Sequence, residues 1–190
     1  NDISMKPQYA TVCGITQREL EVTFAPELNR LAEANGLTYE ETLNKMTALY
    51  DGYHFCEFAE GVFNPFSVLN VFDGYKFSNY WFQTGTPTFL VELLKESEYD
   101  LRTLIDGIEA SASSFTEYRV IYQSGYLTIK DYDKRFGNYL LKFPNDEVRY
   151  GFMDFLVPYY TSVVDDERGF YIGKFVRELE SGEVDAFLNR

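Results

Sequence analysis

Apolar and polar residues alternate at the end of residues 121–130 and again in residues 139–143. This period-two spacing is typical of half-buried strands. The intervening residues 133–138 are rich in turn formers, and Gly137 or Asn138 can adopt the positive φ that a tight turn needs. The pattern therefore predicts two strands joined as a β-hairpin.

A helix is predicted directly after the hairpin. The Asn145 side chain can accept a hydrogen bond from an unpaired amide of the first turn, and Asp146 and Glu147 stand at the positive end of the helix dipole. Pro158 belongs near the end of the helix, because an interior proline interrupts the backbone hydrogen bonds. Apolar residues recur every three or four positions and predict one buried face: Val148, Phe152, Phe155 or Leu156, and Tyr159.

Two capping-box patterns mark helices in the first quarter of the chain. Thr16 precedes Glu19, and Thr38 precedes Glu41, at the spacing that lets each pair exchange hydrogen bonds at a helix start. Pro26 must kink the first of these helices or restart it. Their apolar stripes predict an antiparallel helix pair: Leu20, Phe24, Leu28 and Leu31 in the first, and Leu43, Met46, Leu49 and Tyr50 in the second.

Further helices are predicted along the rest of the chain. Asn64 caps one of them and Pro65 occupies its first turn. Another helix is predicted to begin at residues 86–87, and a further one to cover residues 170–179. The apolar positions of the helix at Asn64 are expected to be Phe66, Leu69 and Phe72. The elements together predict an α+β fold that is predominantly helical.

Composition favours a folded protein and limits its partners. The chain has 190 residues, of which 45% are apolar, including 16 Tyr and 17 Phe, so a well-filled core is expected. Thirty acidic and 17 basic residues give a net charge of −13, which argues against a general nucleic-acid binder. Residues 125–150 are the least acidic region, with five basic residues against four acidic ones.

The cysteines and the hydropathy favour a cytoplasmic protein. Cys13 and Cys56 are the only cysteines, and two widely separated thiols are more simply reduced core residues than a disulfide framework. No apolar run approaches the roughly 20 residues needed to span a bilayer, and no signal peptide is recognised. Asn1 stands where a start methionine would, and a helical pattern from Val184 stops at Arg190, so we expect a piece of a longer protein.

No catalytic motif can be identified in the chain. It contains neither a GxxxxGK[ST] nor a GxGxxG phosphate loop, and His54 is the sole histidine, which argues against a histidine-rich zinc site. The number of carboxylates does not exclude a hydrolase that uses a pair of acidic residues. Its candidate residues lie where turns and helix ends usually place acids: Asp51, Asp131, Asp133, Asp165 and Asp166. Residues 165–167 could ligate a hard cation, but they lack the EF-hand spacing. We therefore expect no catalytic residue, metal site or cofactor in this chain.

Arg149 is the most informative single charge. It lies near the first turn of the predicted helix, where the dipole disfavours a cation. Asp146, three residues earlier, is the ordinary partner. The alternative is that Arg149 reaches an anionic ligand or a partner protein.

Five motifs occur in an order that indicates a family. They are YDGYHF (50–55), FNPFSVLN (63–70), YWFQTGTP (80–87), YQSGYLTI (122–129) and FPNDEVR (143–149). The combination resembles bacterial AAA-ATPase-like proteins that carry a C-terminal PD-(D/E)XK nuclease-like domain. That family has several more residues before the fourth motif. The direct Val120–Ile121 join is therefore either a deletion or the place of a missing loop.

The resemblance implies a linking role. It puts the ATP-binding core upstream and the nuclease-like domain downstream, as the partners of this chain, and it implies ATP and Mg for the parent protein. Residues 1–105 would be a helical, lid-like part, residues 106–162 a winged-helix-like hairpin plus helix, and residues 163–190 a helical connector. The chain would be a non-catalytic regulatory region. Its candidate contacts with the core or nucleotide are Asp51, Tyr53, Asn64 and Arg149.

A free-standing protein-interaction module is the alternative function, with exposed aromatic side chains as anchors. The sequence leaves open whether the hairpin contacts nucleic acid and which oligomer forms.

Overall fold

A computed structural model of the protein describes residues 6–81, 107–111 and 114–160, apart from the side chains of residues 116, 117 and 156–160. The helices predicted at residues 86–87 and 170–179, the acidic residues 165–167 and the connector 163–190 lie outside the described residues. The described elements are a 3-10 turn at Pro7–Tyr9, α1 (Gln17–Thr23), α2 (Ala25–Asn35), α3 (Tyr39–Tyr50), α4 (Pro65–Gly74), β1 (Ile108–Ser111), α5 (Phe115–Gln123), β2 (Thr128–Asp133), β3 (Asn138–Lys142) and α6 (Asp146–Tyr160). The predicted α+β class is confirmed.

Both predicted capping boxes form. The Thr16 hydroxyl accepts from the Glu19 amide at 3.2 Å, and the Glu19 carboxylate accepts from the Thr16 amide at 2.9 Å. The same reciprocal bonds start α3. Pro26 restarts the helix rather than kinking it, because α1 ends at Thr23 and α2 begins at Ala25. Gly36 then ends α2 in the left-handed conformation, with φ 63°.

Helices α1–α4 enclose one apolar core. Asn64 caps α4 as predicted, since its Oδ1 accepts from the Phe66 amide at 3.0 Å. The predicted face of α4 is wrong at two positions, because Phe66 and Leu69 are exposed while Ser67 and Val68 are buried. The buried members of this core are Leu20, Leu28, Leu31, Met46, Tyr50, Phe63, Val68, Val71 and Phe72.

The three strands form an antiparallel sheet in the order β1–β3–β2. The predicted β2–β3 hairpin is confirmed, and Gly137 supplies the positive φ of its turn at 69°. The predicted first strand starts too early, because residues 121–123 end helix α5 and β2 begins at Thr128. Helix α5 also runs without interruption through the Val120–Ile121 join.

A second core lies between the sheet, α5 and α6. Tyr53 and Val62 belong to it, although both come from the segment between α3 and α4. That segment therefore passes from the helical core to the sheet core. The remaining buried members are Ile108, Ala110, Tyr118, Ile121, Tyr126, Leu127, Ile129, Leu141, Phe143, Val148, Phe152 and Met153.

The two thiols differ in exposure. Cys56 is buried and Cys13 is exposed, and both are free. The prediction of two core cysteines is therefore right for Cys56 and wrong for Cys13. Among the described helices, none is long and apolar enough to cross a bilayer.

Candidate functional site

Residues 51–55, here called the junction loop, join the two cores through hydrogen bonds. Helix α3 ends just before the loop at the buried Tyr50, whose hydroxyl donates to the Ser78 carbonyl at 2.9 Å and accepts from the Ser78 amide at 3.1 Å. On the sheet side, the Thr128 hydroxyl accepts from the His54 amide at 2.6 Å and donates to the His54 carbonyl at 3.0 Å. The loop backbone is thus tied to β2 as well as to the helical part.

Lys130 provides a second tie from β2. Its Nζ donates to the Gly52 carbonyl at 3.1 Å and to the Pro144 carbonyl at 2.8 Å. One ammonium group therefore joins the junction loop to the residues that precede α6. Partial burial of this group lowers the pKa of Lys130.

Gly52 is needed where these segments meet. Its φ is +91°, a conformation that disfavours any side chain. A Cβ at this position would also collide with the Pro144 carbonyl oxygen and would lie 2.8 Å from Lys130 Nζ. The close approach of the junction loop to α6 therefore depends on this glycine.

Asn145 closes the contact from the start of α6. Its Oδ1 accepts from the Val148 amide at 3.1 Å, which is the predicted helix cap. Its Nδ2 donates to the Asp51 carbonyl at 2.8 Å, which the sequence did not predict. The amide side chain thus satisfies the helix terminus and the junction loop together.

Glu147 is the buried charge of this region, and the sequence analysis missed its importance. The side chain has 0% exposure, and its carboxylate accepts from the Ser67 hydroxyl at 2.6 Å and from the Trp81 amide at 2.9 Å. Burial raises the pKa of Glu147, and the hydrogen bonds from Ser67 and from the Trp81 amide oppose that shift. The carboxylate links α6 to α4 and to the chain that follows it.

Two of the predicted contact residues, Asp51 and Arg149, line one cleft of about 440 Å³, here called the Arg149 cleft. Lys130, Asn145 and Asp146 lie along the same cleft. Asp51 and Arg149 are 98 positions apart in sequence order, so the fold brings them to one surface. The cleft contains two carboxylates and two cations, so its net charge is near zero.

Arg149 has the ordinary partner that the sequence offered. Its Nη2 lies 3.4 Å from Asp146 Oδ1, and it donates to the Tyr150 hydroxyl at 3.0 Å. The side chain keeps 32% exposure. A guanidinium that is paired and still partly exposed can contact a further anion without leaving its helix.

Burial changes the acidity of the Asp51 carboxyl. The pKa of its carboxyl is raised, chiefly because of burial, and nearby His54 and Lys130 oppose that shift. Its Oδ1 is buried and has no hydrogen-bond partner among the described residues. The neighbouring His54 is half-buried, with Nδ1 at 3.0 Å from the Gly52 carbonyl, and burial lowers its pKa.

The other two predicted residues, Tyr53 and Asn64, line a different and more apolar cavity, also of about 440 Å³. Tyr53 is 9% exposed, and its buried hydroxyl has no hydrogen bond of good geometry within the described part of the chain. Burial raises the pKa of that phenol, whose neighbours include Asn64 and Asn145. The four predicted residues therefore fall into two pairs rather than one site.

The described residues around the junction loop form a joint between segments of the chain. Over residues 6–81, 107–111 and 114–160, no group of three histidine, cysteine or acidic side chains is arranged to hold a metal ion. Backbone groups of Asp51, Gly52 and His54 in the junction loop form hydrogen bonds to other segments. These hydrogen bonds connect the helical part to the sheet part.

The chain was compared with known proteins. No protein-family model matches the chain, and no solved structure matches it. An uncharacterized protein in the vnfD 5' region of Azotobacter chroococcum mcd 1 is 37% identical over an alignment of 159 residues, and the match covers 78% of this chain. The chain spans only 28% of the length of that relative.

Proposed function

We propose that this chain is the non-catalytic linking region of a multidomain AAA-ATPase-like protein. In this proposal an ATP-binding core precedes the chain, a nuclease-like domain follows it, and the whole protein is cytoplasmic and uses ATP and Mg. The chain couples the two flanking domains. The observation that carries the proposal is the junction loop, whose hydrogen bonds from Thr128, Lys130 and Asn145 tie the helical part to the sheet part.

The motifs of the family resemblance support this role through their positions. Residues 50–55 contain the junction loop, residues 143–149 contain its partner Asn145, and residues 122–129 contain its partner Thr128. Three motifs that are far apart in sequence thus meet at one joint. A joint of this kind is the expected location of residues whose task is coupling rather than chemistry.

The finer fold assignment is part of the proposal. Helix α5 precedes a β2–β3 hairpin, and β1 completes an antiparallel sheet in which β3 is central. This order of elements supports a winged-helix-like part after a lid-like helical part. The relative from Azotobacter, of which the chain spans 28%, supports the view that similar segments occur inside much longer proteins.

The test is an arginine substitution in the full-length natural protein. Arg149→Ala should weaken nucleotide binding or ATP turnover about tenfold, because we assign the guanidinium to the contact with the core or its nucleotide. The fold should persist, since a partly exposed i,i+3 ion pair on a helix contributes only about 0.2–0.5 kcal/mol. ATP turnover and urea unfolding, measured on the same preparation, separate the two effects.

Arg18→Ala is the matched control. Arg18 is an exposed cation in the first turn of α1, so its removal makes the same charge change at a comparable helix position. The control should leave ATP turnover unchanged. Equal loss of fold and turnover in Arg149→Ala, or an unchanged turnover, would refute the assignment of Arg149.

A protein-interaction module is the second candidate, favoured by the outer face of α4. Phe66 and Leu69 are 45% and 54% exposed there. The mass of the endogenous protein separates the two candidates. A much heavier chain with an upstream GxxxxGK[ST] sequence supports the ATPase, whereas a native mass near 22.1 kDa favours the module.

A further inference from the structure

The turn between β2 and β3 presents aromatic rings and cations together at the surface. Phe136 is 66% exposed, and Phe58, from the segment after the junction loop, is 62% exposed and contacts the hairpin at Tyr132. Lys134 and Arg135 directly precede Phe136 in the turn. We call Phe58, Lys134, Arg135 and Phe136 the hairpin tip. Phe136 contributes little to either core, so its exposure is not explained by folding.

Each cation of the hairpin tip lies over a ring. Lys134 Nζ is 4.6 Å from the centroid of Phe58, and Arg135 Cζ is 5.0 Å from the centroid of Phe136. Phe58 also contacts the edge of Tyr132, with their centroids 6.2 Å apart. The tip therefore combines stacking surface with positive charge at short distances.

The backbone of the turn is fixed before any partner binds. Asp133 Oδ1 accepts from the Arg135 amide at 2.7 Å and from the Phe136 amide at 3.2 Å. The Gly137 amide donates to the Asp133 carbonyl at 2.7 Å. A rigid turn loses little conformational entropy on binding, which favours its use as a contact surface.

Charge distinguishes this hairpin from the rest of the molecule. Residues 128–142 contain four basic residues and two acidic ones, a net charge of +2 in a chain of net charge −13. The carboxylate of Asp133 is already occupied by two turn amides. The hairpin therefore repels a polyanion less than the chain as a whole does. Its cations at the tip are Lys134 and Arg135, since Lys130 Nζ is bonded to the Gly52 and Pro144 carbonyls. Glu57 accepts from the Tyr139 hydroxyl nearby.

We propose that the hairpin tip binds single-stranded nucleic acid, independently of the linking role proposed above. Phe136 and Phe58 stack on unpaired bases, while Lys134 and Arg135 pair with the adjacent phosphates. A single strand offers bases and phosphates side by side, which matches rings and cations side by side. An acidic protein surface would use the cations but leave the exposed rings without a comparable partner.

Fluorescence anisotropy with a labelled thymidine oligonucleotide of about 20 nucleotides tests the proposal on the 190-residue protein. Affinity is measured between about 20 and 200 mM NaCl. Each phosphate of a single strand that a cation neutralises contributes about −0.7 to the slope of log affinity against log salt concentration, so two contacts should give a slope of about −1.4. Lys134→Ala and Arg135→Ala should each reduce the slope by about 0.7. Phe136→Ala should lower the affinity about tenfold and leave the slope unchanged.

Two substitutions on the helical part serve as matched controls. Phe66→Ala removes another exposed ring, and Lys45→Ala removes another cation that lies over a ring, at 4.4 Å from the centroid of Phe77. Neither should alter oligonucleotide binding. Circular dichroism confirms that the variants are folded.

Three results would overturn the proposal. The first is no oligonucleotide binding at low salt. The second is a loss of affinity in Phe136→Ala no larger than in Phe66→Ala. The third is binding of polyglutamate that requires Lys134 and Phe136 while the oligonucleotide does not compete, which would assign the tip to an acidic protein surface.

Discussion

Replacing Glu147 tests the most buried polar contact between α6 and the helical part. Glu147→Ala removes the acceptor for the Ser67 hydroxyl and for the Trp81 amide, which lie at 2.6 and 2.9 Å from the carboxylate. Ser67 is fully buried, and the Trp81 amide is partly buried. The variant should unfold more easily because two hydrogen-bond donors lose their partner together.

The expected loss follows from the two orphaned donors. Each buried donor without a partner costs about 1–3 kcal/mol, and removing a desolvated carboxylate offsets part of this. The net decrease in the free energy of unfolding should be roughly 2–4 kcal/mol. Glu147→Gln should cost less than about 1 kcal/mol, because its oxygen can accept from Trp81 while its NH₂ donates to the Ser67 hydroxyl.

The glutamine variant also has a signature in pH. Burial raises the pKa of Glu147 in the folded protein above the ordinary value of 4.5, so the folded state binds the proton more tightly than the unfolded chain. The wild type is therefore stabilised by protonation below pH 4.5 and loses that contribution as the pH rises through the folded pKa. Glutamine does not titrate. As the pH rises from below 4.5 through the folded pKa of Glu147, the free energy of unfolding of Glu147→Gln should therefore increase relative to that of the wild type.

Urea unfolding followed by tryptophan fluorescence measures both effects. Trp81 is the only tryptophan, and its ring contacts Tyr126 with 4.8 Å between centroids, so its emission reports the same contact region. Asp154→Asn, an exposed substitution on α6, is the matched control and should change little. The reasoning fails if Glu147→Ala costs less than about 0.5 kcal/mol, or if alanine and glutamine are equally damaging.

Two further substitutions address the junction loop in the same unfolding assay. Gly52→Ala should destabilise the protein by more than about 1 kcal/mol because of the positive φ and the collision with the Pro144 carbonyl. Gly36 also has a positive φ but has open space around it, so Gly36→Ala should destabilise the protein less. Equal losses in the two variants would contradict the role of the collision. Thr128→Val should cost about 1–2 kcal/mol by leaving the His54 amide unpaired. Thr128→Ser keeps the hydroxyl and should recover most of that loss, and a serine variant as weak as valine would point to the methyl group instead.

Local signals in the sequence predicted the helix termini of the first half well. The bonds that start α1 and α3 form between residues three positions apart, Thr16 with Glu19 and Thr38 with Glu41. Asn64 caps α4 with an equally local bond. Such contacts depend on sequence neighbours alone, so a pattern of letters is sufficient to predict them.

The errors arose where distant parts of the chain decide the outcome. Residues 121–123 form the end of α5 because Ile121 packs into the sheet core, whereas a short apolar run alone does not distinguish strand from helix. Thr128 is the polar residue between the apolar Leu127 and Ile129, yet it is as buried as they are, and its hydroxyl bonds both backbone groups of His54. No periodicity in the sequence carries that information.

The sequence identified only part of the candidate site, because contacts between distant parts of the chain also decide which residues share a cleft. Arg149 and Asp51 were selected and do line one cleft, but Tyr53 and Asn64 belong to another cavity. Glu147 was read only as an acidic residue of a first helical turn, where carboxylates are normally solvated. Its burial depends on Ser67, 80 positions away, and a serine among the apolar residues of α4 was the one available signal.

The unequal burial of the two thiols has a practical consequence. Cys56 is buried directly after the junction loop, and Cys13 is exposed. A thiol reagent therefore reaches Cys56 only when this segment opens, whereas Cys13 reacts without any opening. When closing is faster than labelling, the modification rate of Cys56 relative to Cys13 gives the equilibrium constant of local opening. The native protein thus reports the free energy of opening next to its own joint, without an added probe.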